Sequence, residues 1–362
     1  MLHFFLIPYL LREHSYEVYE YSNAEICKWA EFYLSRKTGF HLTNFLAGKV
    51  TENPNDILLG HPTFIDQPEK HPCGKVIRNW VKDNALTTDL LCHPNTYIFM
   101  PWVPVFPPEW TECMPFWQSQ LLSARKIFGL CGRIWYDRTL ELEDSSIQCQ
   151  VKHKLVHINM GLAAQNIFPY KSMFNPIGQR GILHISHLGT YKGFDITCAS
   201  LMGLDVLLHV AGNVPQLHEG LIKTHIQGEE FVFNFLGCID NSDPFTNQWI
   251  IENYDFYIHT ATMDAQATTI LENVARGLIP LVTPESGFIS DHAIYLTHDP
   301  DENRKIIRWA LNLPESELLK RSQLLREQVL REHNWENIFN KVWDEISMDI
   351  EMRKQKQEGA KL

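Results

Sequence analysis

The stretch that decides the fold is DFYIHTATMDAQATTILENVARGLIPLVTP, residues 255–284. Its first part, DFYIHT (255–260), is a short apolar run typical of a buried strand. ATTILENVARG (267–277) has the pattern of a helix that ends at Gly277, and LIPLVTP (278–284) is a second apolar strand. A strand, a helix and another apolar strand in succession predict parallel strands covered by helices on both faces of a sheet.

The same alternation extends in both directions from this stretch. In the C-terminal half it predicts strands at 180–188, 205–212, 231–237 and 293–299, with helices at 194–204 and 248–254. The N-terminal half has similar apolar runs at 2–10, 55–64, 95–104 and 126–136, and a helical pattern at 23–36. The sequence therefore predicts an α/β fold of two Rossmann-like, doubly wound domains that face a cleft, with ligands at the carboxyl ends of the strands.

Domain boundaries are predicted from composition and element order. Glycine, asparagine and proline gather at 157–176, which indicates a linker between the two halves. We expect a first domain at 1–168 and a second at 169–334. The segment 335–362 is expected to form a helix that packs back toward the N-terminal domain and ends in a frayed, charged tail.

Composition excludes several classes of partner. The 362-residue chain has a formal net charge of −11, which argues against a nucleic-acid partner and against docking on anionic lipid. No apolar window reaches the roughly 20 residues of a membrane-spanning helix, and the apolar start is expected to be a first strand rather than a signal peptide. The 8 cysteines are scattered without a C-x-x-C pair, as in reduced cytoplasmic proteins.

Two carboxylates flank the predicted helix start within 255–284. Asp264 is expected in the loop at the carboxyl end of a strand, and Glu272, eight positions later, about one turn into the helix. The amides and the dipole of a helix N-terminus attract anions, and a carboxylate accepts two hydroxyl donors at once, as a sugar diol offers. The alternative from the residues alone is a loop acid and a solvated helix acid.

Three segments together resemble a known family. DAQATTILENVARGLIPLVT (264–283) resembles the E-x7-E segment of retaining GT-B-fold glycosyltransferases of the family 4 type. ISHLGTYKGFD (185–195) resembles their phosphate-binding turn, and 157–176 resembles the stretch that leads into their C-terminal domain. The resemblance covers about 155–345, whereas the N-terminal half matches in strand pattern only.

The resemblance implies roles for individual residues of this chain. Lys192 would contact the donor diphosphate, Glu272 the nucleotide ribose, and Asp264 would lie beside the donor sugar. The backbone of Thr268 and Thr269 would hold phosphate oxygens. Gly193 would shape the phosphate turn, and Gly237 lies in a segment, LGCIDN (236–241), expected to help select the donor base. From the residues alone, Lys192 and Gly193 are also compatible with an ordinary turn.

The chain departs from the family pattern at three places. Asp264 stands where glutamate is usual and is one methylene shorter. His187 replaces the usual arginine of the phosphate turn and is only partly charged near neutral pH; its alternative is a packing role. The family's N-terminal histidine is missing from TYIFMPWVP, so His61, at another predicted strand end, is the candidate that faces the sugar, against a purely structural role. The proline- and aromatic-rich segment 101–117 is either a cleft wall or a surface loop.

The predicted function is sugar transfer from a nucleotide-sugar donor to a glycan, lipid-linked or small-molecule acceptor, as in polysaccharide biosynthesis. The resemblance implies retention of configuration, no metal and no cofactor, the donor being a substrate. It places the donor on the second domain and the acceptor on the first. His153 and His157 fall on a predicted strand, so they are not expected to form a metal pair. The alternatives are a nucleotide-sugar epimerase, a phosphorylase, or a catalytically silent protein that binds nucleotide sugar or glycan.

Overall fold

The computed structural model describes residues 2–5, 43–44, 57–60, 95–100, 114–141, 147–163, 167, 169–186, 188, 190–212, 233–240 and 243–360. Within them the chain forms two compact units. The first comprises Met1–Cys131, Trp135–Met160 and Trp335–Leu362, and the second comprises Gly132–Ile134 and Gly161–Asn334. The domain boundaries predicted at 168/169 and 334/335 stay a prediction, because they describe units that fold independently.

The first unit contains a six-stranded parallel sheet with the order β2-β1-β3-β4-β5-β6. Its central strand β4 is buried along its whole length, as expected of a parallel sheet with both faces covered. The strands are β1 (Leu2–Phe5), β2 (Thr43–Asn44), β3 (Ile57–Gly60), β4 (Thr96–Met100), β5 (Lys126–Leu130) and β6 (Leu155–Ile158). The helices are α1 (Met114–Ser123), α2 (Arg133–Leu140), whose first two residues are assigned to the second unit, and α3 (Ile147–Val151).

The second unit contains another six-stranded parallel sheet, with the order β12-β11-β10-β7-β8-β9. Strands β7, β10 and β11 are fully buried. The strands are β7 (Ile182–Ile185), β8 (Leu208–Ala211), β9 (Phe233–Gly237), β10 (Phe256–His259), β11 (Ile279–Val282) and β12 (Ile294–Tyr295). The helices are α4 (Phe194–Leu201), α5 (Pro244–Asn253), α6 (Thr268–Ala275), α7 (Pro300–Leu311) and α8 (Glu315–Glu332).

The last helix, α9 (Trp335–Gly359), belongs to the first unit. Tyr97 on β4 donates a hydrogen bond to the buried carboxylate of Asp349, with 2.6 Å between the oxygens. Arg125 pairs with the same carboxylate at 3.0 Å. Arg353, on the same helix as Asp349, is a third partner at 3.4 Å. Because Tyr97 and Arg125 lie outside the helix, their contacts with this buried carboxylate fix the position of the helix on the sheet.

The α/β prediction is confirmed, and the local differences have physical reasons. The strand predicted at 126–136 ends at Leu130, and α2 begins at Arg133 because Trp135 and Thr139, four positions apart, are both buried on one helical face. The strand predicted at 293–299 is only two residues long, since the Asp299 side chain accepts hydrogen bonds from the amides that start α7. The predicted helix at 23–36 and residues 101–113 lie outside the described residues.

No helix in the described part of the chain combines the length and the apolar character that crossing a membrane requires.

Candidate functional site

The candidate site lies at the carboxyl ends of β7 and β10, which are neighbours in the second sheet. After β7 the chain forms a single 3₁₀ turn at Thr190–Lys192, then Gly193, and enters α4. After β10 it runs through Thr260 and Asp264 into α6. Ligands of doubly wound proteins bind at this edge of the sheet, so the two connections are where the fold exposes polar backbone to a ligand.

The two connections are in direct contact through their backbones. Gly193 has a φ of +66°, and a Cβ at this position would lie 1.9 Å from the carbonyl oxygen of Thr260. The Thr260 hydroxyl donates to the carbonyl of Gly193 at 2.6 Å, and the Thr197 hydroxyl is 2.8 Å from the Thr260 hydroxyl. The amide of Thr262 donates to the carbonyl of Tyr191 at 2.9 Å. Glycine is required at 193 by both the left-handed backbone and the close approach.

Asp264 joins the two connections through its side chain. Its Oδ2 is 2.5 Å from Lys192 Nζ and 3.1 Å from His259 Nε2. Its amide donates to the carbonyl of Glu285 at 2.9 Å, which fixes the backbone of the loop. Lys192 and Asp264 are largely enclosed, with 14% and 11% of their side chains exposed. The predicted diphosphate and sugar residues, 72 positions apart in sequence, therefore form one ion pair.

Burial and charge act in opposite directions on Asp264. Burial raises the pKa of this carboxyl group, but the positive charge of Lys192 and the hydrogen bond from His259 outweigh burial and lower its pKa to about 2. Asp264 is therefore ionised at neutral pH. Because an ionised carboxylate only accepts hydrogen bonds, His259 Nε2 must carry the proton that it shares with Asp264.

His259 is a site residue that the sequence reasoning did not identify. It occupies the last position of β10 and has 1% of its side chain exposed. Burial lowers its pKa, although the hydrogen bond to Asp264 acts in the opposite direction. The available signal was a histidine at the carboxyl end of an otherwise apolar strand in DFYIHT, five positions before the acid.

A second buried histidine, His184, forms hydrogen bonds that stabilise the segment leading into the 3₁₀ turn at Thr190–Lys192. His184 Nδ1 is 2.9 Å from the carbonyl oxygen of Ile258, so this nitrogen is the donor. His184 Nε2 then accepts from the Ser186 hydroxyl at 2.9 Å, and Ser186 Oγ accepts from the amide of Leu188 at 3.0 Å. Leu188 has a φ of 54°, a left-handed conformation that is uncommon outside glycine. The hydrogen-bonded chain stabilises this conformation at the entrance to the predicted phosphate turn.

The start of α6 carries amides without a side-chain cap. Its N-cap residue is Ala267, which forms no side-chain cap hydrogen bond, and the first amides of a helix have no partner within the helix. The Tyr257 hydroxyl donates to the carbonyl of Ile185 at 2.9 Å and accepts from the Thr269 hydroxyl at 2.7 Å. In the sequence, Thr268 and Thr269 follow Asp264 by four and five positions, and they begin α6.

The remaining predicted residues differ in how the structure places them. Glu272 is half-buried on α6, and its charge raises the pKa of the buried Arg276 against the larger, lowering effect of burial. Gly237 ends the edge strand β9, two strands away from β7, and its carbonyl accepts from the amide of Gly212 at 2.9 Å. His61 and His187 lie outside the described residues.

His153 and His157, the pair that was not expected to bind a metal, lie in different elements of the structure. His157 is on β6, where its Nε2 is 2.8 Å from the carbonyl oxygen of Cys131, while His153 is in the preceding 3₁₀ turn. Across the described ranges, no group of three or more metal-ligating side chains is present.

Sequence comparison finds no matching family model and no match among curated proteins. Similarity appears among solved structures. A variant of S. aureus TarM in complex with fondaparinux, α-GlcNAc-glycerol and UDP matches with a TM-score of 0.56 and 14% identity, over 89% of this chain and 58% of that chain. Anabaena HepE in complex with UDP-glucose matches with a TM-score of 0.61 and 12% identity, over 96% of this chain and 99% of that chain.

A third match is α,α-trehalose 6-phosphate synthase from Burkholderia multivorans, with a TM-score of 0.61 and 12% identity, over 86% of this chain and 74% of that chain. The chain spans little more than half the length of TarM but nearly all of HepE. These structures are GT-B glycosyltransferases, and identities this low establish the fold alone. Together with the two parallel sheets, the comparisons confirm the predicted GT-B fold, built from two Rossmann-like units.

The close approach at Gly193 gives a first prediction. Gly193→Ala is expected to lower the free energy of unfolding by at least about 2 kcal/mol more than Gly203→Ala, measured by urea unfolding, because a backbone oxygen cannot move out of the way as a side chain can. Gly203 is the matched control, since its φ of +71° imposes the same strain while nothing lies within 4 Å of an added Cβ. Equal losses in the two variants would show that the contact with Thr260 is dispensable.

The buried His184 predicts how stability depends on pH. Burial, mainly, lowers its pKa from 6.5 to about 3. Between these values the unfolded chain binds a proton that the folded chain does not, so the free energy of unfolding falls as the pH falls. His184→Asn removes the titrating group, and with it this pH dependence, while keeping an N–H donor for the carbonyl of Ile258. The stability of the wild type relative to His184→Asn should therefore decrease by about 2 kcal/mol between pH 7 and pH 5 in urea titrations. Parallel pH dependences would contradict a neutral His184.

Proposed function

We propose that the protein is a retaining, metal-independent glycosyltransferase that transfers a sugar from a nucleotide-sugar donor to a hydroxyl group of an acceptor. The observation that carries the proposal is the contact of Lys192 with Asp264 at 2.5 Å, immediately before the start of α6. This contact brings a cation and an acid together at the carboxyl edge of one sheet, four residues before a helix begins. Such an edge suits a diphosphate attached to a sugar.

In the proposed reaction, the bond between the sugar C1 and the diphosphate oxygen breaks, and its electron pair leaves with the diphosphate. The acceptor oxygen forms the new bond to C1, and its proton leaves with the diphosphate. Negative charge therefore grows on the leaving group, where preorganised donors have their largest effect. A lysine ammonium has three N–H donors, so Lys192 keeps its bond to Asp264 and offers the others to the diphosphate.

Asp264 would act on the sugar side of the same bond. The carboxylate is ionised, since its pKa lies at about 2, and positive charge develops on the sugar ring as the leaving group departs. In the transition state, Lys192 would thus stabilise the negative charge on the diphosphate and Asp264 the positive charge on the sugar ring. The first amides of α6, at Thr268 and Thr269, add donors for the phosphate oxygens, and Glu272, farther along the helix, is the proposed ribose ligand.

The structural relatives support a first choice of donor. TarM was solved with UDP and HepE with UDP-glucose, and both share the fold of this chain. We therefore take UDP-sugars as the first donors to test. We further propose that the acceptor is a glycan. The protein would act in polysaccharide biosynthesis and be located in the cytoplasm.

A second candidate function is nucleotide-sugar binding without turnover. The specific observation in its favour is that Lys192 is already neutralised by Asp264, which reduces the net positive charge available to the diphosphate. A nucleotide sugar that binds but releases no nucleoside diphosphate, with any acceptor or with water, would identify this function.

The proposal is tested by a screen of UDP-, GDP- and ADP-sugars with two readouts, thermal stabilisation and release of nucleoside diphosphate. A ligand that binds only the folded state raises the melting temperature by mass action. We expect at least one nucleotide sugar to stabilise the protein and to release its nucleoside diphosphate without added metal. Product analysis separates transfer from epimerisation, which needs no acceptor, and from phosphorolysis, which uses inorganic phosphate. The proposal would be refuted if no donor in the screen stabilised the protein and none released its nucleoside diphosphate.

Lys192→Ala should lower the turnover of the donor found in this screen by about 10²–10³, because it removes a charged donor to the leaving diphosphate. The matched control is Lys320→Ala, which removes the same charge from an exposed position of α8 and should leave turnover unchanged. Circular dichroism and melting temperature establish that both variants are folded. Wild-type turnover in folded Lys192→Ala would remove Lys192 from the proposed site.

A further inference from the structure

We propose that His259 is a positioning residue: as a neutral imidazole, it holds the Asp264 carboxylate in the orientation that both Lys192 and the donor sugar require. This inference rests on the proposed function for its catalytic consequence. The hydrogen bond itself can be tested without any substrate.

The first observation is the sharing of one carboxylate oxygen. His259 Nε2 and Lys192 Nζ both contact Oδ2 of Asp264, at 3.1 Å and 2.5 Å. Asp264 is one methylene shorter than the glutamate of the family pattern, so its carboxylate stays close to the end of β10, where His259 is located. Two donors from different directions determine where the carboxylate lies, whereas Lys192 alone could follow it into several positions.

The second observation is an unsatisfied nitrogen. His259 Nδ1 is buried and has no hydrogen-bond partner among the described residues. A buried polar atom without a partner is unfavourable, and a histidine whose purpose was packing could be replaced by an apolar residue of similar size without this penalty. The polar contact that His259 does make is therefore the one that accounts for an imidazole at this position.

The third observation is the packing that fixes the ring. The imidazole of His259 stacks on that of His184, with 5.8 Å between ring centroids and an interplanar angle of 19°, and on the ring of Tyr257 at 6.2 Å and 16°. Tyr257 and His184 are themselves held by hydrogen bonds to the backbone of Ile185 and Ile258. The ring of His259 thus packs against two anchored rings, which limits its rotation away from Asp264.

Neutrality matters as much as position. The described charges facing His259 are Asp264 and Lys192, and His184 stacked on it is neutral because burial lowers its pKa to about 3. A neutral His259 donates one hydrogen bond without adding positive charge, so the negative charge of Asp264 remains available to the sugar and to Lys192. A protonated His259 would add a second positive charge beside Asp264, which Lys192 already balances, and would weaken the interaction of the carboxylate with the sugar.

The test uses three substitutions at one position. His259→Gln places an amide N–H near the position of Nε2, whereas His259→Asn is too short to reach Asp264 and His259→Leu has no donor. With the nucleotide sugar found in the screen, Leu and Asn should lower kcat for nucleoside diphosphate release by about 10²-fold, with the donor KM changed by less than about 3-fold, since misplacement affects the transition state more than binding. Gln should restore kcat to within about 5-fold of the wild type.

Coupling to Asp264 distinguishes positioning from general destabilisation. In an Asp264→Asn background, His259→Leu should cause little further loss, because the two residues act as a unit. His209→Leu is the control: this half-buried histidine of β8 packs against Trp249 and Tyr254 and should leave kcat unchanged. Independent, additive losses, or a His259→Gln variant as slow as His259→Leu, would overturn the proposal.

The substrate-free arm is ¹⁵N NMR of histidine-labelled protein at pH 7, with the His259 signal assigned from His259→Gln. We expect the neutral Nε2–H tautomer in the wild type and exchange between tautomers in Asp264→Ala. An imidazolium or an Nδ1–H tautomer in the wild type would overturn the proposal. Absence of donor turnover with the expected tautomer would instead refute the proposed function and leave the His259–Asp264 hydrogen bond established.

Discussion

The candidate site depends on one backbone contact, the approach of Gly193 to the carbonyl of Thr260. No side chain fits between these two points, since a Cβ would lie 1.9 Å from the oxygen. The contact brings the turn after β7 against the connection after β10. The Lys192–Asp264 pair requires these two connections to be in contact, because each connection supplies one of its members.

The charges of the site are arranged around a deeply enclosed carboxylate. Asp264 is stabilised by one cation and one neutral donor, and this arrangement keeps it ionised despite burial. A lone buried carboxylate would take up a proton instead. The pair has no net charge, which lets it remain enclosed in the protein until a ligand arrives. A diphosphate bound as proposed would share Lys192 with Asp264 rather than meet an unpaired ammonium group.

Two buried histidines serve as neutral parts of the framework. His184 accepts from Ser186 and donates to Ile258, and His259 donates to Asp264. The hydrogen bonds of His184 depend on its two ring nitrogens having different roles, which only the neutral imidazole provides. The left-handed Leu188 and the position of Asp264 are thus determined from the interior of the sheet. The two connections add Lys192 and Asp264, the groups that the proposed ligand would contact.

The sequence by itself determined the fold class, because apolar strands alternating with helices, as in DFYIHT and ATTILENVARG, have few ways to bury both faces of a sheet. It also identified Asp264 as a residue of interest, since this acid follows a strand end, whereas Lys192 and Gly193 were identified through the resemblance to GT-B-fold glycosyltransferases. Only the tertiary structure decided that Lys192 pairs with Asp264 and that His259 completes the pair. These contacts join positions up to 72 residues apart. Local sequence pattern carries no information on which strands are neighbours, and hydrogen-bond partners across a sheet are set by that order and register.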